Sequence, residues 1–238
     1  MAVPPKRLSP LNSLRAFVAA TGYVTTAERP IDRAALRGIA EECGAADVGV
    51  VSIHRSELAS ELEGARSLLP TARSFVSLVV RMNRDALRAP PRSVANLEFH
   101  SAKDEAQDTA RRIIERLTTL GYRAVCPAVG FPMEMDSFPG RTWVLSHKPI
   151  AVAAGLGQIG IHRNLIHPRF GNFVLLETIV TDLQLEEDHP IDFNPCLECK
   201  LCVAACPVGA IGADGHFDFT ACYTHNYREF MSGFGDWV

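Results

Sequence analysis

Long apolar runs, an export signal and a dense basic block are all missing from this chain of 238 residues. No apolar stretch approaches the ~20 residues that a membrane helix needs. The opening MAVPPKRLSPLNSLRAF has a basic pair but no secretory apolar core. Lys and Arg number 24 against 27 Asp and Glu, a formal net charge of −3. Without a basic patch there is little to grip a nucleic-acid backbone, so nucleic acid is not an expected partner. Cysteine is scarce as well until late in the chain: five of the seven follow residue 195. An odd number, clustered, in a chain without an export signal, excludes a secreted disulfide framework and favours metal binding in a reducing compartment. The expectation is a cytoplasmic protein with no membrane attachment.

What is present is ordinary for a globular domain: 47% hydrophobic residues, 21% charged, and a mean hydropathy of +0.05. That length and composition suit one sizeable core with a small appendage. Leu36, Ile39, Ala40 and Cys43 recur at helical spacing, Gly44 is a stop, and Val48, Val50 and Val51 begin a strand. SFVSLVV, residues 74–80, predicts a second strand, and PPRS at 90–93 a loop. The strongest helix begins at Ser101, capped with Asp104, and carries Ala106, Ala110, Ile113, Ile114, Leu117 and Leu120 on one face up to Gly121. YRAVC returns to a sheet, PAVGFPMEMDSFPGRTW reads as a functional loop, and NFVLLETIVTD, residues 172–182, as a strand. The acidic, proline-bounded LEEDHPIDFNP marks a boundary between an α/β core (1–188) and a small cysteine-rich domain (189–238).

In that second domain Cys196, Cys199, Cys202 and Cys206-Pro207 match C-x2-C-x2-C-x3-C-P. Two-residue gaps let three thiolates turn around one corner of a cubane cluster, which is the bacterial ferredoxin spacing for 4Fe-4S. Zinc prefers two separated pairs, so iron–sulfur is the better fit. Cluster number stays open at one or two. In two-cluster ferredoxins the fourth cysteine serves the other cluster; Cys206 would then join Cys222 there. Eight ligands are needed and five are at hand, so the ferredoxin-like segment reads as incomplete. With a single cluster, Cys222 is the preferred fourth ligand. Cys43 and Cys126, in apolar settings, read as small buried hydrophobes.

Upstream lies AVAAGLGQIGIHRNLIHPRFGNFVLLETIVTD, residues 151–182. Its glycines lack the strand before and the acidic residue after that a dinucleotide site needs. Taken with the cysteine run, the stretch resembles the corrinoid-dependent iron–sulfur reductases, the epoxyqueuosine reductases and reductive dehalogenases. The shared features are Ala154 to Gly160, Asn164, Pro168 to Gly171, Thr181-Asp182, and Cys222 at a cluster-two position. They cover about a third of the chain.

The resemblance implies a nitroreductase-like layered α/β (α+β) core that holds cobalamin against a ferredoxin-like domain. It also implies an external donor such as a ferredoxin or flavodoxin and reduction of a small-molecule substrate. By position Gly155, Gly157, Gly160, Asn164, Leu165, Leu176 and Thr224 would meet the corrinoid; ordinary core packing for the leucines and tight turns for the glycines are the alternatives. Asp136, in MDSFP, is the matching proton donor, although it stands about five residues too far from Gly155. Nearby Arg141, His147 and Lys148 offer a proton or an anion contact, or serve surface and core. His162 and His167 read as structural. Self-association is left open. The competing function is a 4Fe-4S electron-transfer protein without its own corrinoid.

Overall fold

The computed structural model describes residues 31–127, 143–193, 196 and 199–225. Its centre is an antiparallel sheet of four strands, β1 (Asp47–Ser52), β2 (Ser74–Arg81), β3 (Ala124–Val125) and β6 (Val174–Thr181), in the order β1-β2-β6-β3. Helices α1 (Arg33–Glu42) and α4 (Arg92–Thr119) cover one face. A 3-10 turn (Ser56–Glu61), α2 (Leu62–Leu68) and α5 (His147–Ala153) cover the other. A short α3 (Arg84–Arg88) follows β2. A small hairpin, β4 (Gln158–Ile159) with β5 (Leu165–Ile166), leads into β6.

The layers explain the sequence pattern. Seven consecutive residues of β2 are buried, because helices cover the strand on both faces, and its apolar run therefore shows little alternation. Val76, Leu78 and Ile179 pack with Leu36, Ala40, Ile113 and Leu117 on the α1/α4 side. Phe75, Val51 and Val180 pack with Leu58, Ala65, Leu145 and Ile150 on the other. The expected layered core is present.

One boundary differs. α4 starts at Arg92, with Pro91 at its N-cap, so PPRS ends a loop rather than filling one, and Ser101 sits exposed in mid-helix. Proline is compatible with a helix start, where its missing N–H costs nothing. The extra turns carry exposed Val94 and Leu97, which explains why no apolar face was legible there.

After β6 the acidic segment is docked on the core. Arg55 donates to Glu187 Oε2 at 2.8 Å, and Asp188 accepts from Arg33 and Arg37, each at 3.0 Å. Among the described residues no helix is long and apolar enough to cross a membrane.

Candidate functional site

The cysteine segment is organised by one short helix and a turn. Cys202 lies within α6 (Leu201–Ala205) and Cys206 is its C-cap. Beyond Cys206 the chain turns sharply through Gly209, at φ +62°, so that successive backbone N–H groups face back toward the sulfur. Ala210 N–H donates to Cys206 Sγ at 3.2 Å. The N–H groups of Val208, Ala210, Ile211 and Gly209 hold the thiol below its ordinary range, outweighing desolvation. Such a nest of donors is what a cluster thiolate requires, so the donor set and its surroundings fit an iron–sulfur cluster. The chain then pairs Ile211 with Phe217, and Asp218 caps a helical stretch over 219–225 through Ala221 N–H at 2.9 Å, which carries Cys222. Among the described residues no three His, Cys, Asp or Glu side chains converge on a metal position. Ligands of this kind are commonly drawn together by the metal itself.

A polar seam joins this segment to the core. Lys148 Nζ donates to Arg163 O at 2.7 Å and to Asn164 Oδ1 at 3.0 Å, and the charge of Cys222 acts on it. Partial burial draws its pKa down, and Cys222 opposes that. Arg163 donates to Gly215 O at 3.1 Å and stands over the Phe217 ring. Gln158 reaches Ile191 O at 2.9 Å.

The predicted cofactor positions fall into two groups. Gly155 has φ +76°, and a Cβ there would lie 2.5 Å from His189 O. Gly157 has φ +155° with Ile166 O only 2.3 Å from such an atom, and Gly160 faces Ile166 and His162. The chain itself occupies the space these glycines leave, and Leu165 is buried with Val79, Ala151, Leu156 and Val174. Asn164 is exposed, while Leu176 and Thr224 are half-buried; these three retain surface that a cofactor can touch. Asp136 and Arg141 lie outside the described residues.

His167 is structural. Its Nδ1 accepts from Arg169 N–H, which places the proton on Nε2, 3.1 Å from Asp47 Oδ2. Burial disfavours the Asp47 charge, but the hydrogen bonds from His167 and Val48 N–H outweigh it and lower the carboxyl.

Sequence reasoning named His147 but overlooked the buried carboxyl beside it. Glu177, fully buried in β6, places Oε1 against Thr178 N–H at 2.9 Å and 3.8 Å from His147 Nδ1. His147 Nδ1 lies 2.9 Å from Thr178 Oγ1. Burial pushes Glu177 up to about 8 and His147 down to about 4. The pair is thus neutral against neutral at pH 7 rather than an ion pair. Cys126 stands near enough to feel Glu177, its thiol raised to about 11 by burial first and that carboxyl second. A signal was available: one carboxylate amid VLLETIVT. At the end of the sheet where β2 leaves, a cavity of about 1080 Å³ is lined by Arg81, Arg84, Arg88, Arg169, Phe170 and Phe173. It contains none of the predicted site residues.

Comparison with known proteins gives a consistent picture. A family model described as a 4Fe-4S binding domain matches residues 189–212. Epoxyqueuosine reductase of Staphylococcus aureus is 29% identical over 171 residues, 70% of this chain and 43% of that protein. That of Cellulophaga algicola is 33% identical over 117 residues, 44% of this chain and 38% of its own. The chain spans less than half the length of these curated relatives. Among solved structures, epoxyqueuosine reductase from Streptococcus thermophilus superposes at a TM-score of 0.55 with 20% identity, over 76% of this chain and 54% of that one. A reductive dehalogenase described with a mechanism for B12-dependent dehalogenation gives 0.59 with 19% identity, over 81% of this chain and 27% of its own.

Proposed function

We propose that this member of the superfamily of epoxyqueuosine reductases and reductive dehalogenases is an iron–sulfur oxidoreductase that passes electrons to a corrinoid and reduces a small substrate. Its kinship in sequence and fold, and its C-terminal 4Fe-4S match, support that reading. The single observation that carries it is the Cys206 turn inside the matched segment, where Ala210 N–H donates to Sγ at 3.2 Å and the backbone N–H groups around it draw the thiol below its ordinary range.

In this reading Cys196, Cys199, Cys202 and Cys206, with Cys222, hold one or two clusters. The N–H groups of Val208 to Ile211 offset the charge of the Cys206 thiolate. Lys148, held between Arg163 O and Asn164, keeps a cation beside Cys222. Asn164, Leu176 and Thr224 would provide the contact surface for a corrinoid. When bound, a corrinoid supplies a cobalt centre of strong nucleophilic and reducing power. A ferredoxin or flavodoxin would deliver the electrons, and clustered cysteines suit the reducing cytoplasm. The relatives are named for the reduction of epoxyqueuosine, so that compound belongs in the screen beside small organic halides.

The test is an anaerobic titration of the reconstituted chain with cobalamin. A shift of the corrin absorption bands that saturates at one cobalamin per chain supports the reductase. Unshifted bands leave only an electron-transfer protein.

A further inference from the structure

We propose that the arginine-lined cavity at the end of the sheet binds a nucleoside phosphate with two or more phosphate groups, the arginines taking the phosphates and the phenylalanine rings lying beside the base. The site stands apart from the reductase reading and does not depend on it.

Two arginine–phenylalanine units face this cavity of about 1080 Å³. Arg84 and Arg88 stand one turn apart on α3 and share a face, with their guanidinium carbons 4.9 and 5.5 Å from the centre of the Phe173 ring. Arg81, the last residue of β2, and Arg169 stand 5.1 and 4.8 Å from the centre of the Phe170 ring. Both rings rest on fixed supports. Phe170 stacks on the buried His167 ring at 4.7 Å, and Phe173 O accepts from Met82 N–H at 3.0 Å. The short helix is tied down as well. Asn83 Oδ1 accepts from the N–H groups of Asp85 and Ala86, and Asn83 N–H donates to Glu98 Oε1 of α4 at 2.6 Å. The cations are thus displayed on a scaffold that is already ordered, which lowers the entropic cost of binding.

Of the four arginines only Arg169 is engaged, donating to Ala46 O at 3.1 Å and Asp47 Oδ2 at 3.2 Å. Among the described residues, the guanidiniums of Arg81, Arg84 and Arg88 have neither an ion pair nor a hydrogen bond, although Asp85, Glu98 and Glu105 line the same cavity. Like charges around one hollow repel one another, and an anion that enters relieves the repulsion. A guanidinium fork matches phosphate oxygens and its plane stacks on flat rings. The volume equals that of the largest small-molecule sites, about 1,000 Å³, so inorganic phosphate would leave most of it empty. Asp85 and Glu105 accept hydrogen bonds from sugar hydroxyls or base amino groups, as acidic residues do in other nucleotide sites. Phosphates, a flat base and hydroxyl or amino donors together describe a nucleoside phosphate. An extended nucleic-acid strand offers the same groups, but the carboxylates in the hollow and a net charge of −3 oppose a long anionic backbone.

The cavity opens on the layer formed by α1 and α4, since Gly44 and Ala46 follow α1 and Glu98 and Glu105 belong to α4. The cysteine segment is joined to the core elsewhere, through Lys148 of α5 and through Gln158 and Arg163 of the β4–β5 hairpin. The described cysteines do not line the cavity, and neither do Asn164, Leu176 and Thr224. A nucleoside phosphate and a corrinoid therefore do not compete for the same residues.

The test is isothermal titration calorimetry of the anaerobically purified full chain with ADP, adenosine, pyrophosphate and an oligoadenylate RNA. ADP should bind saturably at one per chain with a Kd below about 1 mM, and about tenfold or more tighter than adenosine or pyrophosphate. Joint replacement Arg84→Gln and Arg88→Gln should weaken ADP by about 30-fold or more. Phe173→Leu should weaken ADP and leave pyrophosphate unchanged. Arg81→Gln, on the other ring, should weaken ADP by about tenfold and gives a second reading where the double variant does not fold. No saturable ADP binding up to about 1 mM overturns the site, as does wild-type ADP affinity in the folded double variant or in Arg81→Gln. Pyrophosphate that binds as tightly as ADP overturns the nucleoside assignment, and RNA that binds more tightly than ADP transfers the cavity to a strand and overturns it as well. Cobalamin binding by the same protein is a separate titration, so failure of the reductase reading and failure of this site are told apart.

Discussion

Asp188 and Val50 hold one another twice. Asp188 N–H donates to Val50 O at 2.7 Å, and Val50 N–H donates to Asp188 Oδ2 at 2.9 Å. A residue from the acidic segment thereby satisfies the outer edge of β1, and the same carboxylate receives Arg33 and Arg37. The segment that reads as a linker is a strap, and it delivers the chain to the cysteine domain from a fixed point.

Asp188→Ala should therefore lower stability by about 2 kcal/mol, since it removes charge-assisted bonds and orphans the Val50 N–H. The arginines are partly exposed, which limits their share. Asp188→Asn should lose about half as much. Urea denaturation of the three proteins checks this, and equal midpoints would mean that the strap is not fastened there.

The buried pair predicts a particular pH profile for folding. Glu177 rises from an ordinary 4.5 to about 8, so between these values the folded chain keeps a proton that the unfolded chain loses, and stability falls as pH rises. His147 drops from 6.5 to about 4, so in that window the unfolded chain holds the extra proton, and stability falls as pH falls. The two slopes cancel between about 4.5 and 6.5 and leave an alkaline decline from about 6.5 to 8. Glu177→Gln should flatten that decline in thermal melts. An unchanged profile would place the titrating group elsewhere.

Gly155 and Gly157 separate packing from cofactor contact. Alanine at Gly157 would put a methyl carbon 2.3 Å from Ile166 O at a φ that L-residues avoid. Gly157→Ala should cost the cofactor-free protein about 2 kcal/mol or more. If the glycine merely leaves room for a corrinoid, the cofactor-free protein would melt as wild type does and only cobalamin retention would suffer.

His167, 2% exposed, ties the loop after β5 to the start of β1 through Asp47. His167→Ala should cost about 2–4 kcal/mol, because it removes a buried ring and strips Asp47 of its main partner. Hydrogen exchange should quicken at the His167 and Gly171 amides, which pair with each other at 2.8 Å. Protection that persists in the variant would show that the ring is dispensable.

The sequence made the layers legible because Val76, Leu78, Ile113 and Leu117 keep their periodicity, and the cysteine run is legible from spacing alone. The start of α4 was hidden because Val94 and Leu97 point to solvent, so no apolar face announces the helix. Glu177 escaped notice because its significance lies in burial, which a strand of eight residues does not reveal until helices cover both faces. The glycines of A-G-L-G-x-I-G suit two physical uses equally well on paper. Only the positions of His189 O and Ile166 O show that the chain fills the space beside them.

The central claim is that the clustered thiols carry iron for a corrinoid held by the same chain. Iron, acid-labile sulfide and cobalt per chain, measured on protein reconstituted anaerobically with cobalamin and then desalted, address it directly. The account predicts iron and sulfide in equal amounts, in fours, together with one cobalt. Zinc in place of iron, or iron without retained cobalt, would contradict it.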